Sequence, residues 1–133
     1  MKLFTRSKDG GPDSTVTAYW LVEWKRCFSV ALLCFDHGSR EAFHSHAFNC
    51  VSWLLWGQLG ETMVDTPDST RWYYPSPVPI VTKRSTFHRV FSRGRSWVLT
   101  FRGPWADTWK EYRPKSTHHV ILSHGRKEVS IHP

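Results

Sequence analysis

The sequence has few cysteines, no long apolar run and no strongly basic run. Its three cysteines are an odd number, which argues against a secreted disulfide framework and for free thiols in a reducing compartment. No stretch approaches the ~20 apolar residues that a membrane-spanning helix needs, and the first residues hold no apolar segment of signal-peptide length. We therefore expect a cytoplasmic protein that has no membrane partner.

Several catalytic motifs are also missing from the sequence. It has no G-x-S-x-G turn, no phosphate-binding G-x-x-x-x-G-K-[ST] loop, no dinucleotide-binding G-x-G-x-x-G and no pair of C-x-x-C motifs. These absences argue against serine hydrolysis, P-loop chemistry and nicotinamide redox chemistry.

Aromatic residues are abundant, at 15% of the 133 residues with eight tryptophans. A chain of this length and composition can bury the core of one domain without disulfides. No repeat or linker divides it, so we expect a flexible start over residues 1–13 and a single domain over residues 14–133.

The formal net charge is +7, and it comes from scattered lysines and arginines. A surface of this sign attracts anions, which include nucleotides and acidic metabolites. Because no run of five or more basic residues is present, nucleic acid is a less favoured partner than a small anionic ligand.

Short β-prone segments alternate with turn residues along the whole domain. The segments are residues 15–24, 26–35, 41–48, 50–56, 61–64, 71–74, 78–82, 86–92, 96–102 and 118–123. Residues 105–112 are compatible with either a helical turn or a last strand. This pattern predicts an all-β sandwich or small barrel.

His44 and His46 are the first candidates for chemistry. Residues two apart on a strand face the same side, so both imidazoles can bind one metal ion. The spacing of Gly38, His44, His46 and Gly57 resembles the first motif of the cupin superfamily, in which a glutamate stands where this chain has Cys50. His88, in the segment TFHRV, resembles the single histidine of the second motif, although Ser85 and Ser92 replace its usual glycine and asparagine.

The resemblance covers roughly residues 37–103. It implies a double-stranded β-helix, or jelly-roll, barrel with a divalent metal held by His44, His46 and His88. The order of HSHAFN, SWLLWG, Glu61, FHRV and WVLTFRGP is also similar to that of small cupins of bacteriophages and their hosts, which places the protein in a bacterial or phage-infected cell.

Cys50 leaves three alternatives open. With three neutral histidines alone, the site resembles that of iron thiol dioxygenases, some of which crosslink such a cysteine to a tyrosine; Tyr73, Tyr74 and Tyr112 are the candidates here. A Cys50 thiolate would instead be a soft ligand that favours zinc. We favour the third alternative, that Cys50 is a buried apolar residue, as free cysteines usually are.

The candidates for binding substrate lie near the motif segments. Arg40, Arg89 and Arg102 have guanidinium groups that suit a carboxylate or phosphate, and Trp53 could line an aromatic pocket. Glu61 could act as a catalytic base or as a ligand. Cys50 completes this set.

The leading hypothesis is a metal-dependent cupin enzyme of the iron dioxygenase type that acts on a small anionic substrate, with manganese, nickel or zinc as alternatives to iron. The competing hypothesis is a non-catalytic protein that captures a nucleotide or another anionic metabolite, as a phage regulatory or counter-defence protein would. A homodimer is also expected, with the strand over residues 15–24 as a candidate edge.

Overall fold

The computed structural model describes residues 1–9, 14–38, 43–66, 68–106, 108–113, 118–123 and 127–132. Strands form all the regular secondary structure in these ranges, which confirms the predicted all-β class. In chain order they are β1 (Lys2–Lys8), β2 (Val16–Trp24), β3 (Phe28–Phe35), β4 (Phe43–His44), β5 (Cys50–Trp56), β6 (Leu59–Met63), β7 (Arg71–Tyr73), β8 (Ile80–Thr82), β9 (His88–Ser92), β10 (Ser96–Arg102), β11 (Thr108–Arg113), β12 (His118–Ser123) and β13 (Lys127–His132). The described residues contain no helix that is long and apolar enough to cross a membrane.

The strands form two antiparallel sheets. The six-stranded sheet has the order β1-β2-β3-β10-β5-β8, and the seven-stranded sheet has the order β13-β12-β11-β4-β9-β6-β7. Neighbours in the sheets are far apart in the chain, as in the pairing of β10 with β3 and β5. This is the crossed connectivity of a jelly-roll barrel.

The core lies between the two sheets, because the inward positions of the strands alternate with outward ones. In β10, the inward Val98 and Thr100 are buried, while the alternating Trp97 and Leu99 are more exposed. The main apolar cluster consists of Ala18, Trp20, Ala31, Leu33, Leu54, Leu59 and Val98. Four of its residues, Trp20, Leu33, Leu59 and Val98, also line a cavity between the two sheets.

Two elements differ from the sequence expectations, and a third decides an alternative that the sequence left open. Residues 2–8, expected to be flexible, form β1 and pair with β2. As a result β2 is an interior strand, and residues 15–24 cannot be the free edge that the sequence suggested for a homodimer. Residues 108–113, left open between helix and strand, form β11 and pair with β4 and β12.

Candidate metal centre

Three histidines from two neighbouring strands converge at one end of the cavity. His44 ends β4, His46 follows two residues later, and His88 begins β9. The antiparallel pairing of β4 with β9 places His44 opposite His88. The local x-His-x-His alternation and one strand pairing therefore bring together residues that are distant in the sequence.

The three imidazoles form a compact group. One ring nitrogen of each histidine lies within 4.8 Å of those of the other two. The Nε2 atoms of His46 and His88 are 3.3 Å apart. Two nitrogens that bind one ion at ~2.1 Å with bond angles of about 90–110° stand ~3.0–3.4 Å apart, so this spacing fits a shared metal.

Glu61, on the adjacent strand β6, holds His88 from the other side of its ring. One carboxylate oxygen of Glu61 lies 2.5 Å from His88 Nδ1, and the other accepts a hydrogen bond of 2.9 Å from the Tyr73 hydroxyl. Burial raises the pKa of Glu61, but the hydrogen bonds and charges of His88, Tyr73 and Arg71 outweigh it, so the pKa is lowered overall. Glu61 is therefore ionised at neutral pH, although it is buried.

An ionised Glu61 selects one tautomer of His88. Because its carboxylate can only accept, Nδ1 of His88 carries the proton and Nε2 keeps its lone pair for the shared position. The same carboxylate, together with burial, raises the pKa of Tyr73 to about 12, so that this phenol stays protonated. The residues present thus fit a divalent metal held by three imidazoles.

A cavity of about 510 Å³ extends from this group into the barrel. Its walls come from both sheets and are largely apolar, with Trp20, Leu33, Phe48 and Val98 among the lining residues. Two hydroxyls also line it, and that of Ser52 donates to that of Thr100 over 2.9 Å. This volume lies within the range of ordinary small-molecule sites.

Arg102 also lines the cavity, and its guanidinium is ion-paired within the chain. Both terminal nitrogens contact the carboxylate of Asp9, at 3.1 and 2.7 Å. The rings of Trp20 and Phe48 pack on its faces, at 5.2 and 4.4 Å from the guanidinium carbon. Burial lowers the pKa of Arg102, but Asp9 outweighs burial and raises it above its usual value, so the pair is ionised.

The other sequence candidates are spread over both faces of the barrel. Cys50 is buried against Ala47 and Phe48 and lines the cavity, but it is not a member of the histidine group. The Ser52 hydroxyl also donates to its Sγ over 4.0 Å, and its role stays a prediction.

Two of the remaining candidates face away from the cavity, and one is not described. Trp53 alternates with the inward Ser52 and Leu54, and its indole donates to the carbonyl of Pro77. Arg89 follows the buried His88 on β9 and so faces the opposite side of the sheet. Arg40 lies outside the described residues, and their role in binding stays a prediction.

Two functional contacts were not found from the sequence. The hydrogen bond from Tyr73 to Glu61 depends on the pairing of β6 with β7. The ion pair between Asp9 and Arg102 joins residues that are 93 positions apart in the chain. A cross-strand partner carries no signal in a single sequence, which names Tyr73 only as one of three candidate crosslink partners of Cys50.

No protein-family model matches the chain, and no curated protein matches it. Among solved structures, it is similar to a sugar phosphate isomerase of the cupin superfamily from Silicibacter pomeroyi, at 13% identity and a TM-score of 0.62, over 95% of this chain and 89% of that one. Ectoine synthase from P. lautus is similar at 14% identity and a TM-score of 0.57, over 68% of this chain and 65% of that one. KdgF from Halomonas sp. is similar at 16% identity and a TM-score of 0.55, over 75% of this chain and 88% of that one. At these identities the likeness concerns the fold alone.

Proposed function

Because the chain has the cupin fold, with three histidines gathered at the end of its cavity, we propose that it is a metal-dependent enzyme acting on a small anionic substrate. The observation that carries this proposal is the convergence of His44, His46 and His88 around one position, with the Nε2 of His88 left available by Glu61. A neutral imidazole cluster of this kind, inside a cavity, suits iron, nickel, copper or zinc. Iron remains our first choice, as the resemblance to three-histidine dioxygenases implies.

When bound, the metal would polarise a substrate oxygen or support oxygen chemistry. The chain would supply the rest of the site. Glu61 keeps a proton on Nδ1 of His88, and the apolar walls of the cavity exclude water around the substrate.

The charge balance of the cavity supports an anionic substrate. The charged side chains that line the cavity cancel one another, with Lys8, Lys25 and Arg102 against Asp9, Glu23 and Glu61. The three imidazoles are neutral ligands, so the charge of a divalent ion would stay uncompensated. A carboxylate or phosphate on the substrate would provide that compensation.

The first test is metal content, measured by elemental analysis of protein purified without chelators or nickel columns. We compare the wild type with His44→Ala and His88→Ala, and with His37→Ala as the matched control, since His37 is exposed and accepts a hydrogen bond from the Gly94 amide. We expect about one equivalent of metal in the wild type and the control, and its loss from both site variants. Protein that holds no metal, even after loading, would overturn the proposal.

A second candidate is a binding protein that captures a nucleotide or another anionic metabolite. The net charge of +7 and a cavity of about 510 Å³ favour it. Turnover of a substrate that stops in His44→Ala would exclude this alternative. A ligand recovered from the purified protein, and bound equally well by His44→Ala, would support it.

A further inference from the structure

The guanidinium of Arg102 has the setting of an anion-binding group in the cavity wall. Arg102 ends β10 and continues the inward series of Val98 and Thr100, so its side chain lines the cavity. The rings of Trp20 and Phe48 pack on the guanidinium, and polar partners must therefore approach in its plane. The side chain is 5% exposed, and its Nε is buried without a hydrogen-bond partner among the described residues. A buried donor of this kind needs an explanation, and a ligand oxygen would supply one.

The partner that Arg102 does have is a carboxylate. Asp9, the residue after β1, contacts both terminal nitrogens of the guanidinium, at 3.1 and 2.7 Å. Such two-point contacts are the geometry in which arginine binds any carboxylate, including that of a small molecule. The Asp9 side chain is 25% exposed, so solutes can reach it, whereas Arg102 is almost completely covered. Asp9 therefore lies where the carboxylate of a ligand would bind.

The backbone of Asp9 is held in place by bonds other than the ion pair. Its amide donates to the carbonyl of Val16 over 2.9 Å, and its carbonyl accepts from the Ser14 hydroxyl over 2.6 Å. β1 is paired with β2 up to the residue before it. Because these bonds fix the main chain, the Asp9 side chain can leave Arg102 by rotation about its own bonds while β1 stays paired.

One aromatic ring lies between Arg102 and the histidine group. Phe48 stacks on His46, with ring centroids 5.0 Å apart and an angle of 17° between the planes. The guanidinium carbon of Arg102 is 4.4 Å from the centroid of the same Phe48 ring. A ligand whose carboxylate binds Arg102 therefore needs only a short body to reach the position that the three imidazoles share.

We propose that Asp9 is an internal competitor for the anion site of the cavity, and that a small carboxylate ligand binds Arg102 by displacing the Asp9 carboxylate. The charged residues of the lining balance while the pair is intact, so displacement of Asp9 leaves one positive charge for the ligand to neutralise. Competition from Asp9 lowers the affinity for the ligand, because only the fraction of molecules with an open Arg102 can bind it. The inference rests on the proposed function in one point, that this carboxylate is the substrate.

The test is the rescue of Asp9→Ala by formate, which supplies the carboxylate that this substitution removes. Thermal unfolding of the full chain is followed while formate replaces chloride at constant ionic strength, so that screening stays fixed. Asp36→Ala is the matched control, because it breaks the exposed pair with Arg95. Formamide, the neutral analogue of formate, controls for effects on the solvent. All these chains keep the three histidines, so the comparison holds whether or not a metal is bound.

We expect formate, but not formamide, to raise the melting temperature of Asp9→Ala, with a dissociation constant at least about tenfold lower than in the wild type. Asp36→Ala should respond to formate as the wild type does. Equal responses in the wild type and Asp9→Ala overturn the proposal, since the anion would then bind elsewhere. So does an Asp9→Ala protein that formate does not stabilise.

If Asp9→Ala does not fold even with formate, Asp9→Asn gives the same comparison, because it keeps the volume of the side chain and removes its charge. A dissociation constant for formate that is no lower in Asp9→Asn than in the wild type overturns the proposal in that case. Metal content is a separate measurement, so the failure of this inference is distinguishable from the failure of the proposed function.

Discussion

Glu61 uses both of its carboxylate oxygens, one on His88 and one on the Tyr73 hydroxyl. Both oxygens therefore have a partner within the chain, and this geometry suits a residue that positions His88. The sequence singled out Glu61 as a catalytic base or ligand, and the geometry adds a third possibility that spacing alone did not contain. Removing such an outer partner of a metal-binding histidine typically lowers metal affinity by about 10–100-fold.

We therefore expect Glu61→Ala to weaken metal binding by about 10–100-fold, because His88 loses the acceptor that fixes its tautomer. Glu61→Gln should weaken it less, since its amide oxygen can still accept from Nδ1. A competition titration against a chelating dye measures both. Equal affinity in Glu61→Ala and the wild type would contradict a positioning role.

Tyr73 provides a test at alkaline pH. Its pKa is raised to about 12 by burial and by the neighbouring Glu61 carboxylate, so the unfolded chain loses this proton at lower pH than the folded protein. The stability that Tyr73 contributes is complete below its ordinary pKa near 10 and is lost as the pH rises through about 12. In an absorbance titration of the phenols, the step near pH 12 should disappear in Tyr73→Phe. A titration curve that keeps this step would show that another tyrosine is responsible.

At the scale of single residues, the sequence predicted the histidines because ligands of one metal ion recur at a fixed spacing, and a single sequence shows that spacing. His44 and His46 show it locally, and His88 follows from a second motif. Tyr73 and Asp9 were not assigned their contacts, because each depends on a strand pairing that brings distant residues together. Cys50 shows the same limit: its spacing suggested three roles, and its position on the cavity wall leaves the choice among them a prediction.

Strands buried on one face were the most predictable elements. The bounds of β5, β10 and β12 agree with the predicted segments. In β10, buried positions alternate with more exposed ones along the whole strand. In the described part of the predicted segment over residues 41–48, β4 covers Phe43–His44, because its pairing with β9 involves His44 alone and the chain then turns to bury Ala47 and Phe48. β1 was missed because its charged sequence lacks an apolar stripe, and it is held by its pairing with β2.

The turn after β5 depends on Gly57, which has a φ of +96°. A Cβ at this position would meet the side chain and backbone of Ser96, with its Cα at 2.7 Å, and the carbonyl of Arg95 at 2.6 Å. Because backbone atoms cannot move aside cheaply, Gly57→Ala should lower the free energy of unfolding by about 2–4 kcal/mol.

Gly94→Ala is the matched control for this turn. Gly94 has a φ of +72° but nothing within 4 Å of the added Cβ, so only the backbone strain applies, at about 1 kcal/mol. Urea unfolding of both variants measures the difference. Equal losses would show that φ alone governs the turn, and not the contact with Ser96.

At the scale of the whole molecule, the ion pair of Asp9 with Arg102 links the end of β1 to the end of β10, beside the cavity. The Arg102 side chain is 5% exposed and that of Asp9 is 25% exposed. Breaking a buried pair by removing one partner leaves the other charge without compensation. The sequence predicted that Arg102 binds substrate. In the structure its guanidinium is already paired with the Asp9 carboxylate, so a substrate anion would compete with Asp9 for it.

Asp9→Asn should therefore destabilise the protein by about 2–4 kcal/mol, somewhat below the range for a fully buried pair because Asp9 is partly exposed. Asp36→Asn is the control, since Asp36 and Arg95 form an exposed pair at 3.7 Å, which should contribute close to nothing. Thermal unfolding at neutral pH compares the two. Similar melting temperatures would mean that solvent already screens the Asp9 pair.

The convergence of His44 with His88 also bears on how the chain unfolds. An ion bound to both residues would link β4 to β9 in the folded protein, and unfolding would separate these ligands and release the ion. A ligand that binds only the folded state adds to stability in proportion to the logarithm of its concentration. The free energy of unfolding would then rise with the metal concentration around the protein. The same three imidazoles would therefore stabilise the barrel as well as form a site for chemistry.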